Sequence, residues 1–139
     1  MAGIGTRLLK VVVAGTEYSA QVSTSKVTTG ESDSDFVTFA DAAAGGARQY
    51  NFEFTAVQDL TVGTLWDKVW SVPGTTVACT LKPYGNGTAS PTQPWYTFNA
   101  VVTEPDGDFI GGDADKSVTA QQVITCVWPL DGKPVKVTS

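Results

Sequence analysis

The sequence predicts a mainly β protein, folded as an antiparallel β-sandwich or rolled barrel with one short flanking α-helix. Apolar and polar residues alternate in several segments, and 14 Gly and 7 Pro residues punctuate the chain between them. One stretch shows a helical period instead. A chain of 139 residues is long enough for a single domain over 1–139 with one hydrophobic core.

The alternating segments predict eight strands, at about 7–13, 17–27, 36–39, 48–57, 76–82, 95–104, 117–128 and 134–138. The clearest alternation lies in 48–57, where one face is apolar and the other polar. The apolar face consists of Tyr50, Phe52, Phe54 and Ala56. The polar face consists of Gln49, Asn51, Glu53 and Thr55.

Three later strands also have a predicted core face. These faces are Val77, Cys79 and Leu81, then Tyr96, Phe98, Ala100 and Val102, then Val118, Ala120, Ile124, Cys126 and Trp128. Gln122 and Val123 interrupt the last alternation, which predicts a β-bulge there. Cys79 and Cys126 are interpreted as core thiols rather than as a disulfide or part of a metal site.

A period near 3.6 residues replaces the alternation between 59 and 74. Leu65 and Val69 stand four residues apart, as do Trp66 and Trp70, which predicts a helix at about 61–71 with this stripe packed on the sheet. The expected N-cap is Asp59 or Thr61, and Pro73-Gly74 ends the helix. Trp66, Trp70 and Trp128 are all predicted in the core, so Trp95 is the tryptophan expected to be exposed.

Two acidic stretches without basic residues are predicted as loops. The longer one, 28–47, carries Glu31, Asp33, Asp35 and Asp41 and is long enough to suggest a functional or mobile segment. Its apolar residues Phe36 and Phe39 are expected to need a partner. The second, 104–115, holds five carboxylates, but lacks the spacing of a calcium-binding EF-hand loop, so solvated turn residues are favoured over a metal site.

The composition disfavours several classes of function. The chain has no His, which removes the most common general base and metal ligand, so we expect neither an enzyme nor a cofactor. Its net charge of −5 disfavours a nucleic-acid binder. No apolar run is long enough to span a bilayer, and the N-terminus lacks a secretory pattern, so intracellular synthesis is expected. The sequon Asn86-Gly87-Thr88 is then interpreted as a turn.

Two stretches carry a resemblance to a known family. The first is Gln58-Asp-Leu, Leu65-Trp-Asp-Lys-Val-Trp, Gly74-Thr-Thr-Val and Lys82-Pro83. The second is Phe109-Ile-Gly-Gly-Asp-Ala, a Val/Thr-rich strand and Val127-Trp-Pro-Leu-Asp-Gly-Lys-Pro134. Their order over roughly 48–137 resembles the major tail, or tail tube, proteins of long-tailed, non-contractile bacteriophages.

The resemblance implies a structural virion protein, made in the bacterial cytoplasm and located in the phage tail. Six subunits would close a ring, and stacked rings would form a tube for DNA ejection. Its partners would be further copies of itself and the tape measure, tail terminator and distal tail proteins. DNA would pass without specific binding, and no membrane partner is implied.

The resemblance also suggests roles for particular segments. The loop 28–47 and the arms 1–6 and 132–139 would bridge rings, with a loop contact made by Asp33, Asp35, Phe36 and Phe39. We expect the lumen to be lined by the polar face of strand 48–57 and by the strand beside it, that is by Gln49, Asn51, Glu53, Thr55, Ser19, Gln21 and Ser23. The alternative is that these residues face bulk solvent.

Two other kinds of protein share these properties. A capsid decoration or head–tail joining protein has the same small size, acidity and β content. A carbohydrate-binding or adhesin module would present exposed aromatic residues to a glycan, and Trp95 and Tyr84 are its best candidates.

Overall fold

The computed structural model describes residues 8–31, 38–43 and 48–139. In chain order the elements are β1 (Lys10–Val13), β2 (Thr16–Glu17), β3 (Val22–Glu31), α1 (Phe39–Ala43), β4 (Arg48–Val57), α2 (Leu65–Ser71), β5 (Thr76–Lys82), β6 (Trp95–Val101), β7 (Val123–Pro129) and β8 (Val135–Val137). The strands form two antiparallel sheets, β2-β1-β5-β6-β8 and β3-β4-β7. The predicted β-sandwich is confirmed, and the described strands do not close into a barrel.

The core lies between the two sheets and is built on aromatic residues. Phe52, Phe54 and Trp128 come from the three-stranded sheet and are all at most 1% exposed. The Trp128 ring meets the Phe54 ring edge-on, with centroids 4.8 Å apart, and Phe52 lies 5.2 Å from Phe98 of the opposite sheet. Such tilted and edge-on contacts are the favoured geometries between aromatic rings. These contacts join the two sheets into one unit.

Alternation predicted the strands around this core well. The predicted strands 48–57 and 76–82 coincide with β4 and β5. Cys79 and Cys126 are free and buried, as predicted, and burial raises the pKa of each thiol to about 12. Both thiols therefore remain protonated at neutral pH.

The predicted strand 117–128 is wrong over its first half. Val118 is fully exposed, Ala120 is exposed, and β7 begins only at Val123. The Ser117 hydroxyl lies 3.0 Å from that of Thr119, and the Ser117 backbone N–H donates to Asp115. Such short-range bonds favour turns over strands. The predicted bulge at Gln122 and Val123 is also wrong, because β7 pairs with β4 in continuous register from Val123.

The first strands also differ from the prediction. The chain turns at Ala14 and Gly15, which both have positive φ. Strand β2 follows this turn and has only two residues. The strand expected at 17–27 instead runs over 22–31 as β3, with its irregularity between Val22 and Thr24. Of the segment expected as a strand at 36–39, Phe39 begins helix α1, and 36–37 lie outside the described residues.

Helix α2 is confirmed but starts later than predicted. Its N-cap is Thr64, whose hydroxyl accepts from the Asp67 N–H, while Asp59 accepts from Thr61 in the preceding turn. Leu65, Trp66 and Val69 are buried as predicted. No helix in the described parts of the chain is long and apolar enough to cross a membrane.

We predict that Trp128→Ala lowers the free energy of unfolding by about 3–5 kcal/mol, because it empties the centre of the aromatic cluster. It also removes the hydrogen bond from the indole N–H to the Thr103 carbonyl, 3.0 Å away. Urea unfolding followed by circular dichroism measures the change. The control Val118→Ala, at a fully exposed position, should change stability by less than about 0.5 kcal/mol. Equal losses in both variants would contradict this assignment of the core.

Candidate functional site

The outward side of the three-stranded sheet is the main candidate surface, here called the polar face. Gln49, Asn51, Glu53 and Thr55 lie on it, as the alternation predicted, since Phe52, Phe54 and Ala56 between them are buried. Residues directly opposite each other on paired strands share a face. By register, the other members of the polar face are Thr24, Lys26, Thr28 and Gly30 on β3, and Val123, Thr125, Val127 and Pro129 on β7.

The polar face is rich in hydroxyls and amides and nearly neutral. Lys26 and Glu53 are register partners, so its two charged residues are adjacent and opposite in sign. The hydroxyls of Thr55 and Thr125 lie 3.2 Å apart on neighbouring strands. The face therefore offers mainly short polar side chains, together with the exposed Val123 and Val127, and no excess of cations.

Of the seven residues predicted on this face, Ser19 and Gln21 lie elsewhere and Ser23 lies at the irregularity of β3. Ser19 precedes β3, and its hydroxyl accepts from the Val11 N–H in the other sheet. Gln21 also precedes β3, and its side-chain oxygen accepts from the Leu65 N–H at the start of α2. Ser23 is exposed but sits at the register shift of β3. The prediction for Ser19 and Gln21 is wrong because the turn before β3 replaces the first part of the expected strand.

Neither edge of the three-stranded sheet has a further strand partner among the described residues. Within the described ranges, β3 and β7 each pair with β4 alone, and they have 10 and 7 residues. The edge strands of the other sheet, β2 and β8, have only 2 and 3 residues. Long unpaired edges are templates for pairing with another chain.

The two segments that carry the family resemblance contact each other, in an arrangement here called the helix latch. The Gln58 side chain donates to the Gly111 carbonyl at 2.8 Å and accepts from the Gly111 N–H at 2.7 Å. The Trp66 indole donates to the Phe109 carbonyl at 2.8 Å. Gly111 has φ of +81°, a conformation that favours glycine. Two hydrogen bonds from Gln58, directly after β4, and one from Trp66 of α2 thus hold the 109–111 segment in place.

Trp70 completes the helix latch at the surface, and its predicted burial is wrong. It is 55% exposed and stacks on Trp66, with centroids 5.6 Å apart and planes 11° apart. The ring centroid of Phe109 lies 5.5 Å from the ring centroid of each of the two tryptophans. Trp70 is the outermost residue of this stack. Trp66 is buried, whereas Trp70 remains partly exposed to solvent.

The predicted long loop 28–47 is partly regular structure. Residues 28–31 belong to β3 and pair with the start of β4, so the loop is shorter than expected. Phe39 begins α1 and is 96% exposed. Phe36, Asp33 and Asp35 lie outside the described residues, as does the arm 1–6. The predicted arm 132–139 is not free, since Val135–Val137 pairs with β6 as the edge strand β8.

The two aromatic residues expected to bind a glycan in a carbohydrate-binding module do not form an open surface. Trp95 is partly buried, the Lys82 ammonium lies 4.2 Å from its ring centroid, and its indole donates to the Asn86 side chain. The Asn86 amide in turn donates to the Thr88 and Gln93 carbonyls, as expected of a turn. Tyr84 is also only partly exposed. One face of Trp95 is thus occupied by the chain's own lysine.

The acidic segment 104–115 does not gather its carboxylates. No group of three or more potential metal-ligating side chains occurs among the residues that the structure describes. Glu104, Asp106 and Asp108 instead border a cleft of about 420 Å³ beside Val123 and Val127 of β7. This segment therefore adds negative charge next to one free edge of the three-stranded sheet.

Comparisons with known proteins identify no relative: no family model, no curated protein and no solved structure matches this chain.

The role of Gln58 was not predictable from the sequence. A glutamine at the end of a strand gives no sequence signal for two bonds to a glycine 53 residues later. The pair Gly111-Gly112 was the available clue, because glycine is favoured where the backbone needs a positive φ or a close approach. The cap Thr64 was missed because Asp59 and Thr61 are equally good capping residue types.

We predict that Gln58→Ala releases the 109–111 segment and lowers the free energy of unfolding by about 1–3 kcal/mol, because the bonding groups of Gly111 lose their partner. Tryptophan fluorescence should shift to longer wavelength as Trp66 and Trp70 gain solvent. Gln121→Ala, which removes an exposed glutamine near the latch, should leave both readouts unchanged. An unchanged spectrum in the Gln58 variant would contradict the proposed latch.

Proposed function

We propose that this chain is a structural subunit that assembles into rings which stack into a tube, as in a phage tail tube, and that the tube conducts DNA. The observation that carries this proposal is the open three-stranded sheet, with two long free edges and a nearly neutral polar face. The sequence resemblance to tail tube proteins supplies the kind of tube and the number of subunits.

The free edges support closure of a ring. Strands β3 and β7 are both antiparallel to β4, so they run in the same direction. In a head-to-tail ring, β7 of one copy would therefore pair in parallel with β3 of the next. Three strands from each of six copies give about eighteen strands, a number at which closed sheets enclose a water-filled channel.

Charge supports the same junction. Lys26 lies on β3, whereas the acidic segment with Glu104, Asp106 and Asp108 borders β7. Pairing β3 of one copy with β7 of the next would bring these opposite charges together. Opposite charges at a junction favour the correct orientation of subunits.

The polar face supports passage of DNA rather than binding. Duplex binders gain affinity by neutralising phosphates with Lys and Arg. Facing the lumen, this surface would present one lysine per subunit, beside Glu53, together with hydroxyls and amides. The remaining net negative charge of the chain would add weak repulsion. DNA would then meet a lumen without sites that hold it.

We predict that the purified, concentrated protein forms rings with six-fold symmetry, or hollow tubes, visible by negative-stain electron microscopy. If free subunits do not nucleate, tail initiation proteins supplied with the chain should start the tube. Trimers that bind capsids, even with initiators present, would contradict the tube and favour a decoration protein.

We predict that Asn51→Lys/Thr55→Lys turns the lumen into a DNA-binding surface, because each ring gains two cations per subunit. Tubes of this variant should retain short duplex DNA at low salt and release it at high salt in a co-sedimentation assay, whereas wild-type tubes should retain none. Tubes of a control, Val118→Lys/Thr119→Lys, carry the same charge on an exposed loop away from the polar face. If the control retained as much DNA as the first variant, the polar face would not be luminal.

A further inference from the structure

The chain that follows β6 is anchored at both ends of strand β7. Near the last residue of β7, the indole N–H of Trp128 donates to the Thr103 carbonyl at 3.0 Å. Near its first residue, the Gln58 side chain donates to the Val123 carbonyl at 3.0 Å and to the Gly111 carbonyl at 2.8 Å. The segment between these two anchors therefore runs along the length of β7.

The middle of this segment, residues 104–108 and here called the edge strap, passes the side of β7 that β4 does not occupy. Trp128 points into the core and is fully buried, whereas Thr125 and Val127 are exposed on the polar face. The edge strap shares the cleft of about 420 Å³ with Thr125 and Val127. Because β4 pairs with the other side of β7, a chain that goes from Trp128 to this cleft passes the unpaired edge. The edge strap thus lies where a further strand would pair.

The edge strap itself is held weakly between its anchors. None of its residues makes a hydrogen bond or an ion pair within the described parts of the chain. Apart from Pro105 its residues are exposed, and a Cβ added at Gly107 would meet no atom within 4 Å. Exposed segments with few contacts open at a low cost in free energy. The edge strap can therefore leave β7 while both anchors stay in place.

The charges of the edge strap distinguish between possible partners. It carries three carboxylates, those of Glu104, Asp106 and Asp108, and no basic residue. Two copies that approached through their β7 edges would bring these like charges together, which disfavours that contact. Strand β3 instead carries Lys26, and opposite charges favour its approach. The edge strap therefore favours β3 over a second β7 as the strand that reaches this edge.

We propose that the edge strap is an autoinhibitory element, which covers β7 in the free subunit and is displaced when β3 of a second copy pairs there. The proposal rests on the proposed function for the identity of the incoming strand. It adds that pairing at β7 requires a conformational change of the subunit. Covering an edge with a loop is one way in which proteins prevent uncontrolled strand pairing.

A full-length variant with a loosened edge strap tests whether β7 is covered. Glu104→Gly/Pro105→Ser/Asp106→Gly/Asp108→Ser keeps the length of the strap but makes it flexible and uncharged. The probe is a fluorescent peptide with the sequence of β3, residues 22–31, and its binding is measured by anisotropy. Because an uncovered edge accepts an added strand, the peptide should bind this variant at least about tenfold more tightly than the wild type.

Two controls accompany this measurement. Asp113→Ser/Asp115→Gly removes exposed carboxylates from the same region but outside the cleft, and should bind the peptide like the wild type. A peptide of the same composition in scrambled order should bind none of the proteins. Equal binding of the β3 peptide to the wild type and the loosened variant, or binding to neither, would overturn the proposal.

A stiffened edge strap should have the opposite effect on assembly. Gly107→Ala introduces no close contact and needs no left-handed backbone, and the same holds for the control Gly87→Ala in the turn after β5. Because alanine restricts the opened strap, Gly107→Ala should raise the protein concentration needed for assembly about two- to fivefold. The loosened variant should lower this concentration, and Gly87→Ala should leave it unchanged, as measured by sedimentation.

The outcomes separate the edge strap from ring formation. Tighter peptide binding to the loosened variant, without rings at any concentration, would support the edge strap and contradict the ring. Rings that form at the same concentration in the wild type and in both strap variants would leave the proposed function standing and overturn the autoinhibition.

Discussion

The packing of two unequal sheets around one aromatic core determines the rest of the structure. Phe52, Phe54 and Trp128 face inward from the three-stranded sheet and meet Phe98 from the other. Burial of these rings fixes the register of β4 and β7, because a shift by one residue would turn the aromatic side chains outward. The outward face is then necessarily the polar set around Asn51, Glu53 and Thr55. The burial of these rings thus determines both the stability of the subunit and the surface that it presents.

The second constraint is the distribution of edges. The larger sheet ends on the short strands β2 and β8. After β7 the chain passes to this larger sheet, where Leu130 forms an isolated bridge with Ala100. The smaller sheet ends on two long strands, β3 and β7. Edges of this length promote association with other chains unless they are covered. A ring that joins β7 to β3 would cover both edges at once, so assembly would remove the feature that makes the isolated subunit prone to uncontrolled pairing.

The sequence predicted those parts of the fold in which one physical signal dominates. Strict alternation located β4 and β5 to the residue, and the four-residue spacing of Leu65 and Val69 located the buried side of α2. It failed where local hydrogen bonding competes with alternation, as at Ser117 and Thr119, and where a turn interrupts a Val/Thr-rich run, as before Val22. Trp70 was misplaced because periodicity gives the side of a helix but not how far the neighbouring elements extend over it.

The candidate site was predictable only in part, for the same reasons. The polar residues of β4 follow from alternation, but their neighbours on β3 and β7 depend on strand order and register, which a single sequence does not give. The helix latch depends on hydrogen bonds between residues that are 53 positions apart in the chain. Such features become visible only once tertiary packing is known.

Hydrogen–deuterium exchange on β3, compared between free subunits and assembled rings, tests the central claim most directly. The outer amides of β3 have no strand partner among the described residues, so in free subunits they should exchange faster than those of β4. If β7 of the next copy pairs with this edge, assembly should slow exchange along Val22–Glu31 by at least about tenfold. Rings that form while β3 exchanges as fast as in the free subunit would show that the sheet edges are not the assembly contact.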